Sequence, residues 1–78
     1  MTGIEILDDI LKQYSSRMKS QEDIAKQYHV EQTYISNLLQ ECGFHNGKFT
    51  GGKSVDINIA WQNAEVRRLC EELAQINQ

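Results

Sequence analysis

The stretch from Gln21 to Gln40, QEDIAKQYHVEQTYISNLLQ, constrains the fold of this chain more than any other. Its apolar residues recur at the spacing of two short helices that are separated by a tight turn. Two helices that cross steeply need a small residue at the crossing and a turn residue that tolerates positive φ. Ala25 and His29 stand at these two places, and histidine is among the non-glycine residues enriched in the left-handed region. The predicted contact between the two helices is formed by Ile24, Tyr28, Val30, Ile35 and Leu38.

This pair of helices resembles the helix-turn-helix of bacterial and phage transcriptional regulators of the repressor and Cro type. In that family a first helix similar to QEDIAK precedes a second helix similar to YISNLL. The resemblance covers residues 21–40 and departs from the family pattern at His29, where glycine is more usual. It implies that the second helix of the motif enters the major groove of DNA. It also implies that Gln21 braces Gln32 against the DNA backbone.

The whole chain, residues 1–78, is predicted to form a single, mainly α-helical domain of about four helices. Ser20, followed three residues later by Asp23, predicts that the second helix begins at Gln21 and continues to residue 28. The third helix is predicted from Glu31 to residue 42, because Gly43 is suited to end it. A first helix is predicted over residues 3–18 from apolar residues at helical spacing: Ile4, Leu7, Ile10, Leu11, Tyr14 and Met18.

Residues 43–57 hold most of the glycine and contain two competing hairpin signals. An Asn-Gly turn at 46–47 would place Phe44 opposite Phe49. A Gly-Gly turn at 51–52 would instead pair the residues on its own two sides, and both turns cannot form at full length. The stretch is therefore either a short, wing-like β-hairpin between the third and fourth helices or an irregular loop that covers them.

Residues 58–76 are predicted to form a C-terminal helix with one apolar face. This face either completes the core against the first helix or pairs with its copy in a second subunit. A two-fold dimer would place two recognition helices about 34 Å apart, which is one turn of duplex DNA. In that second alternative the dimer interface consists of Val66, Leu69, Leu73 and Ile76.

Charge and composition exclude several classes of protein. A formal net charge of −3 argues against a general nucleic-acid binder, although residues 12–19 and 43–54 carry only basic charges. No tract is long enough to span a bilayer, and the first residues do not form a secretory signal, so a cytoplasmic protein is expected. Cys42 and Cys70 lie outside any metal or redox motif and are expected to be reduced, buried thiols. No catalytic, metal-binding or cofactor-binding set is found, so an enzyme is not expected.

The outward face of the third helix is predicted to contact DNA bases, since its polar side chains can donate to and accept from base edges. Flanking cations, with polar side chains near the motif, are predicted to contact the phosphate backbone. The predicted base contacts are Gln32, Thr33, Ser36 and Asn37, and the predicted backbone contacts are Lys19, Gln21, Lys26, Tyr34, Lys48 and Lys53.

These observations predict sequence-specific binding of double-stranded DNA by a small transcriptional regulator that acts as a homodimer. Two alternatives stay open. One is a protein-interaction module that keeps the fold, which the acidic charge and the absence of arginine from the third helix favour. The other is an accessory subunit in phage DNA packaging or recombination, and resemblance of the fold does not choose among the three.

Overall fold

The computed structural model describes residues 1–45, 48–50 and 55–78. These residues form a mainly helical domain with a two-stranded antiparallel hairpin between the third and fourth helices, which confirms the predicted fold class. The predicted Gly-Gly turn at 51–52, the Asn-Gly turn at 46–47 and Lys53 lie outside the described residues. None of the helices in the described part is long and apolar enough to cross a membrane. The elements are α1 (Gly3–Ser15), α2 (Gln21–Gln27), α3 (Gln32–Glu41), β1 (Phe44–His45), β2 (Lys48–Phe49), α4 (Ile57–Trp61) and α5 (Ala64–Ile76).

Helix α1 begins with a reciprocal cap and ends earlier than predicted. Thr2 accepts a hydrogen bond from the Glu5 amide, and the Glu5 carboxylate accepts one from the Thr2 amide at 2.8 Å. The helix ends at Ser15 because Arg17 adopts a φ of 61°, which a right-handed helix cannot accommodate. Met18 therefore lies beyond the helix and is 75% exposed, and Ile4 in the first turn is also exposed. The residues that α1 buries completely or almost completely are Ile6, Leu7, Ile10 and Leu11.

Helices α2 and α3 form the predicted helix-turn-helix. Ala25 of α2 is buried, and its carbonyl oxygen accepts a hydrogen bond from the Val30 amide at 3.0 Å. His29 adopts the predicted positive φ, 61°, which turns the chain between the helices. The predicted contact between the helices is confirmed, with Ile24, Tyr28, Ile35 and Leu38 buried and Val30 packed beside them.

The C-terminal part consists of two helices, so the prediction of one helix over residues 58–76 is wrong. Asn63 interrupts it, because the Asn63 side chain accepts hydrogen bonds from the amides of Glu65 at 2.9 Å and Val66 at 3.4 Å. This is an N-cap, and it starts α5 as a new helix.

Helix α5 packs on α1 and contributes its apolar face to the core. Leu73 and Val66 are 0% exposed and Leu69 is 7% exposed, so these side chains are enclosed within one copy of the chain. These three side chains leave little or no surface for contact with a second copy, so in this conformation they belong to the core of one copy. Ile76, the fourth residue of that interface, is 50% exposed.

The hairpin is attached to the helices by aromatic rings. Phe44 pairs with Phe49 in the register that the turn at 46–47 predicts. The Phe44 ring lies 5.6 Å from the Phe49 ring and 5.2 Å from the Tyr14 ring, between centroids. Gly43 precedes the hairpin with a φ of 107°, and a Cβ there would lie 3.0 Å from the Phe49 ring. The position therefore requires glycine both for its backbone conformation and for the space it leaves to Phe49.

Candidate nucleic-acid interface

The outward face of α3 carries the four predicted base contacts. Gln32, Thr33 and Asn37 are exposed, and Ser36 is half-buried. Among the described hydrogen bonds, none engages the side chains of these four residues. They are therefore available to a ligand, and the opposite face of the helix is anchored in the core by Ile35, Leu38 and Leu39.

Carboxylates lie at both ends of α3. Glu31 is the residue at the N-cap position, and its side chain makes no capping hydrogen bond. Its exposed carboxylate leaves the first amides of α3 without a side-chain cap and places a negative charge beside Gln32. Glu41 is the last residue of α3 and is also exposed. Both charges oppose the approach of phosphates to the ends of the helix.

A polar groove runs between the C-terminal half of α3 and α5, which the sequence did not predict. Arg68 of α5 lies in it beside Asn37 and Gln40 of α3. The Arg68 guanidinium pairs with the carboxylate of Glu65 and, at 2.6 Å, with that of Glu72. The hydrogen bond from Arg68 lowers the pKa of Glu65. The positive charge that lines this groove is therefore already paired with two carboxylates.

The Tyr34 hydroxyl contacts α5, which corrects the prediction that Tyr34 contacts the DNA backbone. The Tyr34 hydroxyl oxygen lies 2.7 Å from the Leu69 carbonyl oxygen and 3.0 Å from a Glu72 carboxylate oxygen. Burial and the hydrogen bond to Glu72 raise the pKa of Tyr34. The half-buried side chain thus fixes α3 to α5, and a phosphate could reach the hydroxyl only by breaking this contact.

Two of the predicted backbone contacts on the side of α2 already have partners in the fold. Lys19 Nζ donates to the Gln27 side-chain oxygen at 2.7 Å, and Gln21 Nε2 donates to the Tyr14 hydroxyl at 3.2 Å. Both partners are neutral, so Lys19 keeps its positive charge available to a phosphate.

The other predicted cations differ in their surroundings. Lys26 Nζ lies 3.5 Å from a carboxylate oxygen of Glu22, in an exposed pair that contributes little. Lys48 is exposed on β2. Of the predicted cations in the described part of the chain, Lys26 lies on α2, Lys19 in the loop before it and Lys48 on β2, and none belongs to α3.

Two polar contacts that hold the motif in place were missed. Asp9 of α1 accepts hydrogen bonds from the Tyr28 hydroxyl and from Gln13 Nε2, the latter at 2.6 Å. Asn77 Nδ2 donates to the Tyr28 carbonyl oxygen at 3.0 Å, which caps the last turn of α2 from the end of α5. Tyr28 had been predicted as an apolar contact only. Its partners lie 19 and 49 residues away, so the sequence around Tyr28 does not predict these hydrogen bonds.

Comparison of the chain with models of known protein families, with curated proteins and with solved structures finds no match. Any proposal about function therefore rests on the residues of α3 and of the elements around it.

Proposed function

We propose that this protein binds double-stranded DNA sequence-specifically, with α3 in the major groove, and acts in the cytoplasm as a non-catalytic regulator of transcription. The observation that carries the proposal is the outward face of α3. It presents exposed amide and hydroxyl groups on a helix whose other face is held rigidly by the core. Amides and hydroxyls are the groups that bind base edges, and a rigid helix places them reproducibly.

The dimensions of the motif support this placement. Helix α3 has 10 residues, which corresponds to about 15 Å, and the major groove of B-DNA, about 12 Å wide, admits a helix. In helix-turn-helix proteins the N-terminal residues of the second helix contact bases, and here these are Gln32, Thr33 and Ser36. Lys19 and Lys26 on the side of α2 and Lys48 on the hairpin would contact phosphates on either side.

Two copies on one duplex are part of the proposal. A helix without arginine or lysine on its outward face gains little from counterion release, so one copy alone would bind weakly. Two copies one turn of duplex apart would combine their affinities. Ile76 is the one predicted interface residue that remains half exposed and can contact a second copy.

A protein-interaction module is the second candidate, and the carboxylates around α3 favour it. Glu31 and Glu41 flank the helix, and Glu65 lines the groove beside Asn37. Such a surface suits a basic segment of a partner protein better than a phosphate backbone. An accessory subunit in DNA packaging or recombination would use the same DNA-binding surface as the regulator and differs from it only in biological context.

The test is a selection of binding sites from random duplex DNA, followed by titration of the enriched duplex with variants. Gln32→Ala and Asn37→Ala are expected to lose about fivefold to a hundredfold in affinity for the enriched site while remaining folded. Asn58→Ala is the control, since Asn58 is exposed on α4 and far along the chain from the motif. Failure to enrich any duplex at low salt would refute the proposal and direct attention to protein partners.

A further inference from the structure

A cavity lies where the end of α3 meets the hairpin and α4, and we call it the α4 cavity. Its volume is about 350 Å³, which is within the range of small-molecule sites. The side chains of Phe49, Val55, Ile59 and Ala60 supply its apolar surface. Ile59 is 67% exposed, so this apolar surface is accessible from solvent. None of the described residues that are predicted to contact DNA lines the α4 cavity.

Two exposed carboxylates, those of Glu41 and Asp56, also line the cavity. Within the described part of the chain, no lysine, arginine or histidine does so. Asp56 accepts a hydrogen bond from the Asn58 amide at 2.9 Å, whereas the Glu41 carboxylate has no ion pair or hydrogen bond among the described residues. Helix α3 ends at Glu41, and its last carbonyl groups add a partial negative charge. The described lining is therefore apolar surface combined with negative charge.

The hydroxyl and amide donors of the described lining are already engaged within the fold. Thr50 donates to the Gly43 carbonyl oxygen through both its amide and its hydroxyl, each at 3.0 Å. Asn63 Nδ2 donates to the Glu41 carbonyl oxygen at 3.4 Å. These side chains leave mainly acceptor oxygens to a ligand. An anionic ligand would instead meet two charges of its own sign.

The Cys42 thiol also lines the cavity and has no hydrogen-bond partner among the described residues, although Cys42 is only 9% exposed. Burial and the charge of Glu41 raise the pKa of Cys42 to about 11. The group is therefore a neutral thiol at pH 7, which behaves as a small apolar surface. It does not compete with the two carboxylates for a cation.

We propose that the α4 cavity binds a small molecule that combines one ammonium group with an apolar body. At about 30 Å³ for each non-hydrogen atom, a cavity of this volume holds about ten such atoms. The apolar body would contact Phe49, Val55 and Ile59. The ammonium group would pair with Glu41 and Asp56. A purely apolar ligand would leave these carboxylates partly desolvated and unpaired, and a second copy of the chain would bring like charges against them.

The test compares a cationic ligand with its neutral analogue. 2-Phenylethylamine is protonated at pH 7, and 2-phenylethanol has the same ring and nearly the same shape without the charge. Binding is followed in two-dimensional amide NMR spectra of the whole chain. The amine is expected to shift the signals of Gly43, Thr50 and Ala60 with a dissociation constant of about 1 mM. The alcohol is expected to bind at least about tenfold more weakly.

Variants separate the contribution of charge from that of apolar surface. Glu41→Gln and Asp56→Asn each remove one charge with little change of shape, and asparagine can still cap α4. Each is expected to weaken binding of the amine about threefold to tenfold. Glu71→Gln is the matched control, because Glu71 is an exposed carboxylate that does not line the cavity, and it should keep the parent affinity. Ile59→Ser should weaken binding of the amine and the alcohol alike.

A preference for the amine that is reduced in Glu41→Gln and in Asp56→Asn supports the proposal. Three results would overturn it. One is the absence of shifts at the lining residues at about 20 mM amine, where a site of the expected affinity is saturated. The others are equal binding of amine and alcohol, and a loss in Glu71→Gln as large as that in Glu41→Gln. None of these measurements involves DNA, so their failure would leave the proposed function untouched.

Discussion

Replacing Leu73 by alanine tests directly whether the apolar face of α5 is core or a contact between copies. Leu73 is 0% exposed in one copy of the chain, where α5 packs on α1. Truncation of a fully buried leucine in a close-packed core costs about 3–5 kcal/mol, because the removed atoms lose their transfer free energy and leave a cavity. A domain of this length has a total free energy of unfolding of roughly 4–12 kcal/mol. Leu73→Ala should therefore lower the melting temperature by at least about 12 °C.

Ile76→Ala is the matched control, one turn further along the same helix. Ile76 is 50% exposed, so its truncation removes much less buried surface and should cost about 1 kcal/mol or less. Both variants and the parent would be melted by circular dichroism at two protein concentrations a hundredfold apart. If Leu73 is core, its effect is the same at both concentrations.

Two results would refute this reasoning. One is a melting temperature for Leu73→Ala that falls no further than that of Ile76→Ala. The other is a loss that disappears at the higher protein concentration, since mass action would then be restoring a contact between two copies. Sedimentation of the folded variants would identify the species in either case.

Three further perturbations follow from individual contacts. Burial and Glu72 raise the pKa of Tyr34, so Tyr34 loses its proton more readily in the unfolded chain than in the folded one. Its contribution to stability is complete below the ordinary tyrosine pKa of 10.0 and falls as the pH rises above that value. In urea titrations, Tyr34→Phe should therefore be about 1 kcal/mol less stable than the parent at pH 7 and should lose less stability at alkaline pH. His29→Gly should raise the free energy of unfolding by up to about 1 kcal/mol, because glycine adopts positive φ without strain. The urea midpoint should rise accordingly, and a lower midpoint would contradict this. Glu31→Ser should stabilise α3 by about 0.5–1 kcal/mol through a new cap and tighten binding to a selected duplex, whereas Glu71→Gln, beside Gly3 of α1, should leave that binding nearly unchanged.

The sequence predicted those parts of the fold that depend on near neighbours. The burial of Ala25 and the positive φ at His29 belong to a turn whose hydrogen bond, from the Val30 amide to the Ala25 carbonyl, joins residues only five positions apart. The pairing of Phe44 with Phe49 matches one of the two registers that the sequence left open. Local chemistry leaves few alternatives in such segments.

The break between α4 and α5 was missed because the apolar spacing does not reveal it. Ile59 and Val66 lie seven residues apart, which is two helical turns, so a continuous helix fits them as well as two helices do. Asn63 was the available signal, since asparagine followed by Glu65 and an apolar residue is typical of a helix start. The cap acts through the backbone amides of Glu65 and Val66, which apolar spacing does not register, so the prediction of one helix was wrong.

The candidate interface also contains some features that helical periodicity predicts and others that depend on tertiary packing. Exposure of Gln32, Thr33 and Asn37 was predictable from helical periodicity, since Ile35 and Leu38 fix which side faces the core. The contact of Tyr34 with Glu72 joins residues 38 positions apart, and the groove that holds Arg68 exists only once α5 has packed. Such features depend on tertiary structure, which periodicity alone does not contain.

The pairing of α1 with α5 means that the fold can be completed only after α5 has been synthesised. Helix α1 is synthesised before α5, which packs against it. Until α5 leaves the exit tunnel, Ile6, Leu7 and Ile10 are less completely covered than in the finished domain. The Tyr28 carbonyl oxygen likewise lacks the hydrogen bond from Asn77 until the end of α5 has been synthesised. A nascent chain that contains the complete helix-turn-helix but not α5 therefore lacks these two tertiary contacts.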